Sequence, residues 1–265
     1  MLMEDGQHGK SYHAIFRDMI ICEIGLNHNG DVEYANDYLN KIIESKADGV
    51  LFHVREKSFY KESNHLKFLL PDQFYIQAFK KLKSSNIKCG VSISDITKIP
   101  FFIKNHIDFF KVFSKDIKDF ELISSLKSTG KKIFVSTGMS DIDEITKLVN
   151  FIGNDKNRFT LIHTQLTHDL DHVNLKAISM LKKKFDMSVA YGNHCINTNV
   201  LYLSLVFEPS DIIFYIKGTQ SEHLDELHAV IIDELPQIIR NLKELPRTLG
   251  NEVKINMPNK VEKKI

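Results

Sequence analysis

The stretch Ile21 to Asp31, ICEIGLNHNGD, decides how the chain is read. A short apolar run ends on Glu23 and passes into a turn of Gly, Asn and His, the pattern of a buried strand that delivers polar groups at its carboxyl end. Glu23 has no core partner within that run, and Asn27, His28 and Asn29 supply several donors and acceptors. Taken alone, the stretch reads equally well as an ordinary strand-to-helix turn capped by Asn29 or Asp31. The rest of the chain decides between the two.

Outward from this stretch the same unit recurs. Apolar runs at 19–24, 49–54, 88–94, 109–113, 132–136, 159–163, 187–191 and 212–216 read as strands. Helical spacing follows each one, at 34–47, 73–82, 99–105, 120–128, 142–152, 175–184, 200–207 and 224–242. Eight strands each followed by a helix predict a parallel sheet with right-handed crossovers, closed as a TIM (β/α)8 barrel. An open doubly wound sheet is the nearest rival, but no GxGxxG follows a strand, since the first turn reads GLNHNG. In a barrel the active site lies at the carboxyl ends of the strands. The polar residues there are Glu23, His53, Ser92, Ser114, Asp116, Ser136, His163 and His194.

Composition narrows the function classes. With 265 residues and 43% hydrophobic content the chain can bury a large core as one domain. Lysine plus arginine number 35 against 34 acidic residues, so no global field attracts nucleic acid or an anionic membrane, and an anionic ligand needs a local pocket. The partner expected is a small molecule. Cys22, Cys89 and Cys195 are odd in number and unpaired in spacing, which fits a reducing compartment without disulfides. The N-terminus lacks an apolar core of signal-peptide length and no later run approaches a membrane span, so a cytoplasmic location is expected.

Five motifs resemble the N-acetylneuraminate (sialic acid) synthase family, which includes the legionaminate and pseudaminate enzymes. They are EIGLNHNGD at Glu23 to Asp31, FKVFSKD at Phe110 to Asp116, STGM at Ser136 to Met139, HVNLKAI at His172 to Ile178 and AYGNH at Ala190 to His194. They stand in family order and near family spacing. The resemblance implies a barrel that condenses phosphoenolpyruvate with an N-acylmannosamine-type sugar to a nonulosonic acid, using a divalent metal, Mn or Mg. It also implies a division into an N-terminal extension at 1–18, a catalytic barrel at 19–248 and a linker-like tail at 249–265, without the small antifreeze-like domain of many members. A homodimer follows by analogy only.

Carried over by position, the resemblance implies that Glu23 helps hold the sugar or a metal-bound water and that Lys111, Ser114 and Ser136 contact the phosphate. Asp116 stands where the family has a glutamate proposed as general base, and His194 falls on one of two metal histidines. Asn27, His53 and Ser92 complete the substrate-binding candidates. Condensation needs cations and donors around a phosphate, a carboxylate to move a proton and a Lewis acid on the aldehyde.

The departures weaken the metal and the phosphate site. Leu51, Phe52 and His53 replace a KFQ whose lysine would bind phosphate, leaving Arg55 to lean in. Gly192 replaces a serine and Asn193 an aspartate. Leu166, Thr167 and His168 replace a tyrosine-proline pair, and Ile216 takes the place of the second metal histidine in strand eight.

Each candidate also has a structural reading. His53, His163 and His194 could form an altered metal site, or could be hydrogen-bonded structure. Lys111, beside buried Val112 and Phe113, needs a partner or points into the site. Ser136, Thr137 and Gly138 could cap a helix or present N–H groups to an anion, and Ser114 and Asp116 divide between capping and chemistry. His223 and His228 read as solvated surface on the last helix, and Lys182 to Lys184 as an exposed helix end. Three functions stay open: the condensing enzyme, a barrel acting on a sugar or phosphosugar by other chemistry, and a degenerate relative that regulates or scaffolds glycan synthesis.

Overall fold

The computed structural model describes residues 19–250 except Ser63 and Ser221, together with Lys254. The N-terminal extension expected at 1–18, and the tail beyond 250 apart from Lys254, lie outside the described residues. In chain order the elements are β1 Ile20–Gly25, α1 Val32–Ser45, β2 Gly49–Val54, α2 Lys57–Lys61, α3 Asp72–Ser84, β3 Lys88–Ile93 and α4 Ile99–Lys104. They continue as β4 Phe109–Val112, α5 Phe120–Ser128, β5 Lys132–Ser136, α6 Ile142–Ile152, β6 Phe159–His163 and α7 Lys176–Phe185. The last are β7 Ser188–Asn193, α8 Asn199–Ser204, β8 Ile212–Lys217, the two-residue β9 Val230–Ile231 and α9 Leu235–Glu244.

Successive strands pair in parallel from β1 to β8, and β8 returns to β1 through Ile20↔Ile212 to Glu23↔Tyr215, closing the ring. The TIM barrel is therefore the fold. Strand side chains alternate, and here the outward set packs on the helices while the inward set fills the ring. Ile21, Leu51, Phe109, Phe134, Ile162, Ala190 and Ile213 form the inner apolar floor. Phe109 and Phe134 meet edge to face there, centroids 5.4 Å apart. Gly90 makes room for them, since a Cβ at that position would come 2.2 Å from Phe109 Cε2.

One step higher on every strand, two residues on, the inward row turns polar or small. Glu23, His53, Ser92, Lys111, Ser136, Thr164, Gly192 and Tyr215 succeed the floor residues or, on β3, Gly90. This change of layer builds the site. It also corrects the reading of Ile216, whose fully buried side chain joins the outer core between strands and helices. On β8 it is Tyr215 that faces inward, so the residue taken for a missing metal histidine never faces the mouth.

Turn chemistry explains the helix starts. Asp31 caps α1, its carboxylate accepting from the Glu33 and Tyr34 amides, so the capping reading of the opening stretch holds alongside the site reading. Asp141 and Glu144 form a reciprocal capping box on α6. The last helix departs from expectation. It begins at Leu235 with Pro236 in its first turn, a position that suits proline, whereas a helix running through from 224 would carry that ring in its interior. The residues before it fold back over the barrel and bury His223 and His228, each 7% exposed, which overturns their reading as solvated surface.

That returning segment fastens the first unit to the last. Asn27 Nδ2 donates to the Ile216 carbonyl at 2.9 Å, and the Asp225 amide donates to Asn27 Oδ1 at 3.0 Å. Asn29 Nδ2 donates to the Glu222 carbonyl, and the Tyr34 hydroxyl bonds His223 Nε2 at 2.8 Å. Cys22, Cys89 and Cys195 are buried free thiols. No helix among the described residues is long and apolar enough to cross a membrane.

Candidate active site

Glu23, at the upper layer of β1, is the hub. Lys111 Nζ lies 2.6 and 2.7 Å from its two carboxylate oxygens, and His53 Nε2 and Ser92 Oγ approach Oε1 at 2.8 and 3.2 Å. Burial alone would raise the Glu23 carboxyl, but the Lys111 ammonium and the His53 bond outweigh it and hold the group well below the usual carboxylate range. An ionised carboxylate so fully engaged is a poor proton acceptor. Its physical role is to fix Lys111 and His53 in place. Tyr215 closes this side, its hydroxyl 3.4 Å from His53 Nε2.

Two neighbouring cavities share Lys111, Ser136, His194 and Tyr215 in their linings. A small chamber of about 10 Å³, room for about one water-sized group, is lined by Glu23, Lys111, Ser136, Thr164, His194 and Tyr215, among others. A wider cleft of about 160 Å³ is lined by Arg55, Lys111 and Lys115, the Ser114 and Ser136 hydroxyls, and apolar Phe113, Met139 and Leu166. Ser114 Oγ and Ser136 Oγ are 2.6 Å apart. Three cations and two hydroxyls in one cleft suit a phosphate or carboxylate, Arg55 does reach in, and Arg55 and Lys115 each also pair with Glu56 at 3.2 Å.

The strand-end candidates thus divide. Glu23, Lys111, Ser114, Ser136 and His194 line the cavities. His53 and Ser92 stand behind, bonded to Glu23. Asn27 is fully buried and spent on the clasp to the Ile216 carbonyl and the Asp225 amide, which removes it from the substrate set. Asp116 lines neither cavity; its carboxylate takes the Ser94 hydroxyl at 2.5 Å and Lys115 Nζ at 3.0 Å, so the general-base assignment has no geometric support. Thr164, Asn193 and Tyr215 went unassigned, although counting two residues up from Ile162 and Ile213 finds Thr164 and Tyr215.

The histidines do not converge on a metal. His163 Nε2 is bonded to the Val173 carbonyl at 3.0 Å and His53 to Glu23, so the altered His53/His163/His194 site is not formed. The His194 ring instead stacks on His228, centroids 4.5 Å apart and planes at 26°, and His228 stacks on His168. Rings laid face to face present their in-plane nitrogens side by side rather than to one point. Among the described residues no group of three His, Cys, Asp or Glu is disposed to hold a metal ion, and the donor set does not fit the divalent metal that the resemblance implies. Burial, with His228 and Lys111 nearby, pushes His194 down to about 3, so the ring is neutral at physiological pH. Burial and His168 likewise lower His228 to about 4.

A closed parallel barrel with a cleft lined by cations and hydroxyls at the carboxyl ends of its strands defines the class: a TIM-barrel protein. Within that class the chain belongs to the NeuB family, whose model matches residues 38–254. It is 28% identical over 251 residues to an uncharacterized protein from Methanocaldococcus jannaschii, covering 91% of this chain and 74% of that one. It is 26% identical over 214 residues to the N,N'-diacetyllegionaminic acid synthase of Campylobacter jejuni, covering 71% of this chain and 63% of that enzyme. The structure superposes on the N-acetylneuraminic acid (sialic acid) synthetase of Leptospira borgpetersenii with a TM-score of 0.82 at 20% identity, over 90% of this chain and 87% of that one. That last likeness bears on the fold.

Proposed function

We propose that the protein condenses phosphoenolpyruvate with an N-acylmannosamine-type sugar, releasing phosphate and a nonulosonic acid. The observation that carries this reading is the single cleft that gathers Arg55, Lys111, Lys115, Ser114 and Ser136. The cations and hydroxyls bind the anionic groups of phosphoenolpyruvate, and the Glu23 carboxylate keeps Lys111 aimed. The sugar aldehyde seats toward His194 and Tyr215, which border both cavities. The His194 ring nitrogens have no hydrogen-bond partner among the described residues, so a neutral imidazole N–H can donate to the aldehyde oxygen as the enol carbon attacks. The new carbon–carbon bond leaves that oxygen as an alkoxide; water adds to the former enol carbon and gives up the proton that turns the alkoxide into a hydroxyl, and the bond from that carbon to the phosphate oxygen breaks, leaving a ketone and free phosphate. No step is routed through a metal.

A second reading keeps the anion site but not the condensation. Lys111 is already bonded to both oxygens of Glu23, and apolar Leu51 and Leu166 stand on the floor and the cleft wall. The protein would then act on a sugar or phosphosugar by other chemistry. Incubation with phosphoenolpyruvate and a panel of N-acyl hexosamines, with EDTA or with Mn²⁺, separates the two. The first reading expects sugar-dependent phosphate release that EDTA leaves unchanged, with a nine-carbon acid by mass spectrometry. Calorimetric binding without turnover across the panel favours the second, and the absence of both overturns each.

A further inference from the structure

The chamber wall between β6 and β7 carries a hydroxyl that the protein itself does not use. Thr164 is 3% exposed, and its Oγ1 has no hydrogen-bond partner among the described residues. Three polar side chains at the ends of the flanking strands β5 and β7 have partners elsewhere: Thr137 Oγ1 donates to the Ile162 carbonyl, Ser136 shares a bond with Ser114, and Asn193 bonds Tyr191 and Cys195. An unpartnered buried hydroxyl is destabilising, and a threonine at a strand end has few alternative side-chain rotamers with which to escape. The methyl group lies on the β5 side, with Cγ2 2.8 Å from where a Cβ on Gly138 would stand. Oγ1 lies on the β7 side, 3.5 Å from where a Cβ on Gly192 would stand. Glycine at 192 therefore leaves the space in front of the hydroxyl empty. Lys111, Ser136 and His194 line the same chamber.

We propose that Thr164 is a substrate-binding residue whose hydroxyl donates to an anionic oxygen, phosphate or carboxylate, of the ligand held by Lys111 and Ser136. The proposal rests on the anion-binding role assigned to the cleft above. A threonine hydroxyl supplies a donor without adding charge, which suits a wall already carrying a lysine.

Wild-type protein, Thr164→Val and Thr164→Ser are titrated calorimetrically with phosphoenolpyruvate and with inorganic phosphate, and their thermal midpoints are measured. Thr164→Val keeps the shape of the side chain and is expected to bind phosphoenolpyruvate about tenfold more weakly, with a midpoint at or above that of wild type. Thr164→Ser keeps the hydroxyl and stays within about threefold. Weakening toward both ligands assigns the oxygen to phosphate, and weakening toward phosphoenolpyruvate alone assigns it to carboxylate. Wild-type binding that Thr164→Val leaves unchanged overturns the assignment of the threonine alone, as does equal weakening in both variants with lowered midpoints, which marks a packing role. Wild type that binds neither ligand defeats the anion-site reading and this one with it.

Discussion

Replacing Lys111 with methionine tests the hub most directly. Glu23 is 1% exposed and both of its oxygens are bonded to the Lys111 ammonium, so the substitution strands an ionised carboxylate inside the barrel. Breaking a buried pair from one side costs about 3–5 kcal/mol. His53 and Ser92 remain as partners, which puts the expected loss near the lower end. For a domain of this size each kcal/mol moves the midpoint by about 2–4 °C, so a loss of about 3 kcal/mol should lower the melting temperature by about 6–12 °C. The pH dependence carries the sign. In the parent protein the depressed Glu23 carboxyl contributes stability that is present above its ordinary value and lost as pH falls. Without Lys111, burial dominates and raises that carboxyl, so the variant's deficit should shrink on going from pH 7 to pH 5. In the double variant Glu23→Gln/Lys111→Met neither charge is stranded, and urea unfolding should recover most of the loss, giving a coupling of at least about 2 kcal/mol. A single variant within about 1 kcal/mol of the parent at pH 7 would refute this account of the hub.

Two further expectations concern the floor and the histidines. Gly90→Ala would drive a Cβ to 2.2 Å from the Phe109 ring in the closed interior, and denaturant unfolding should show a loss of about 1–3 kcal/mol; a neutral result would mean that the floor yields. His28 and His194 are lowered to about 3 and His228 to about 4, each mainly by burial. The unfolded chain takes up protons at these sites first, so stability is intact above about pH 6.5 and falls below it, by up to about 4 kcal/mol per pH unit if all three act. A stability profile that stays flat between pH 6.5 and pH 4.5 would contradict their neutral state in the folded protein.

The ring of strands was legible because parallel strands buried on both faces read as continuous apolar runs, and β2, β5 and β6 match their sequence boundaries. Glu23, Lys111 and Ser136 were legible for a related reason: each interrupts such a run at its carboxyl end. Ile216 was misread because the sequence motif was followed by position and not by the alternation of β8, which turns Tyr215 inward. His223 and His228 were misread because their burial depends on a segment folding back across the mouth, a long-range event with no local signal. Asn27 looked like a ligand residue for the same reason, since its partners lie 189 and 198 residues away. Thr164 gave a signal only to a reader counting rows.

The clasp from Asn27, Asn29 and Tyr34 to the segment at 216–225 ties the earliest part of the chain to one of the latest. During synthesis the opening stretch must therefore wait until Asp225 has left the ribosome before its polar turn finds all of its partners. The mouth is in that sense the last part of the barrel to be finished, and a chain interrupted before Ile212 would hold Glu23 and Lys111 without the strand that closes the ring around them.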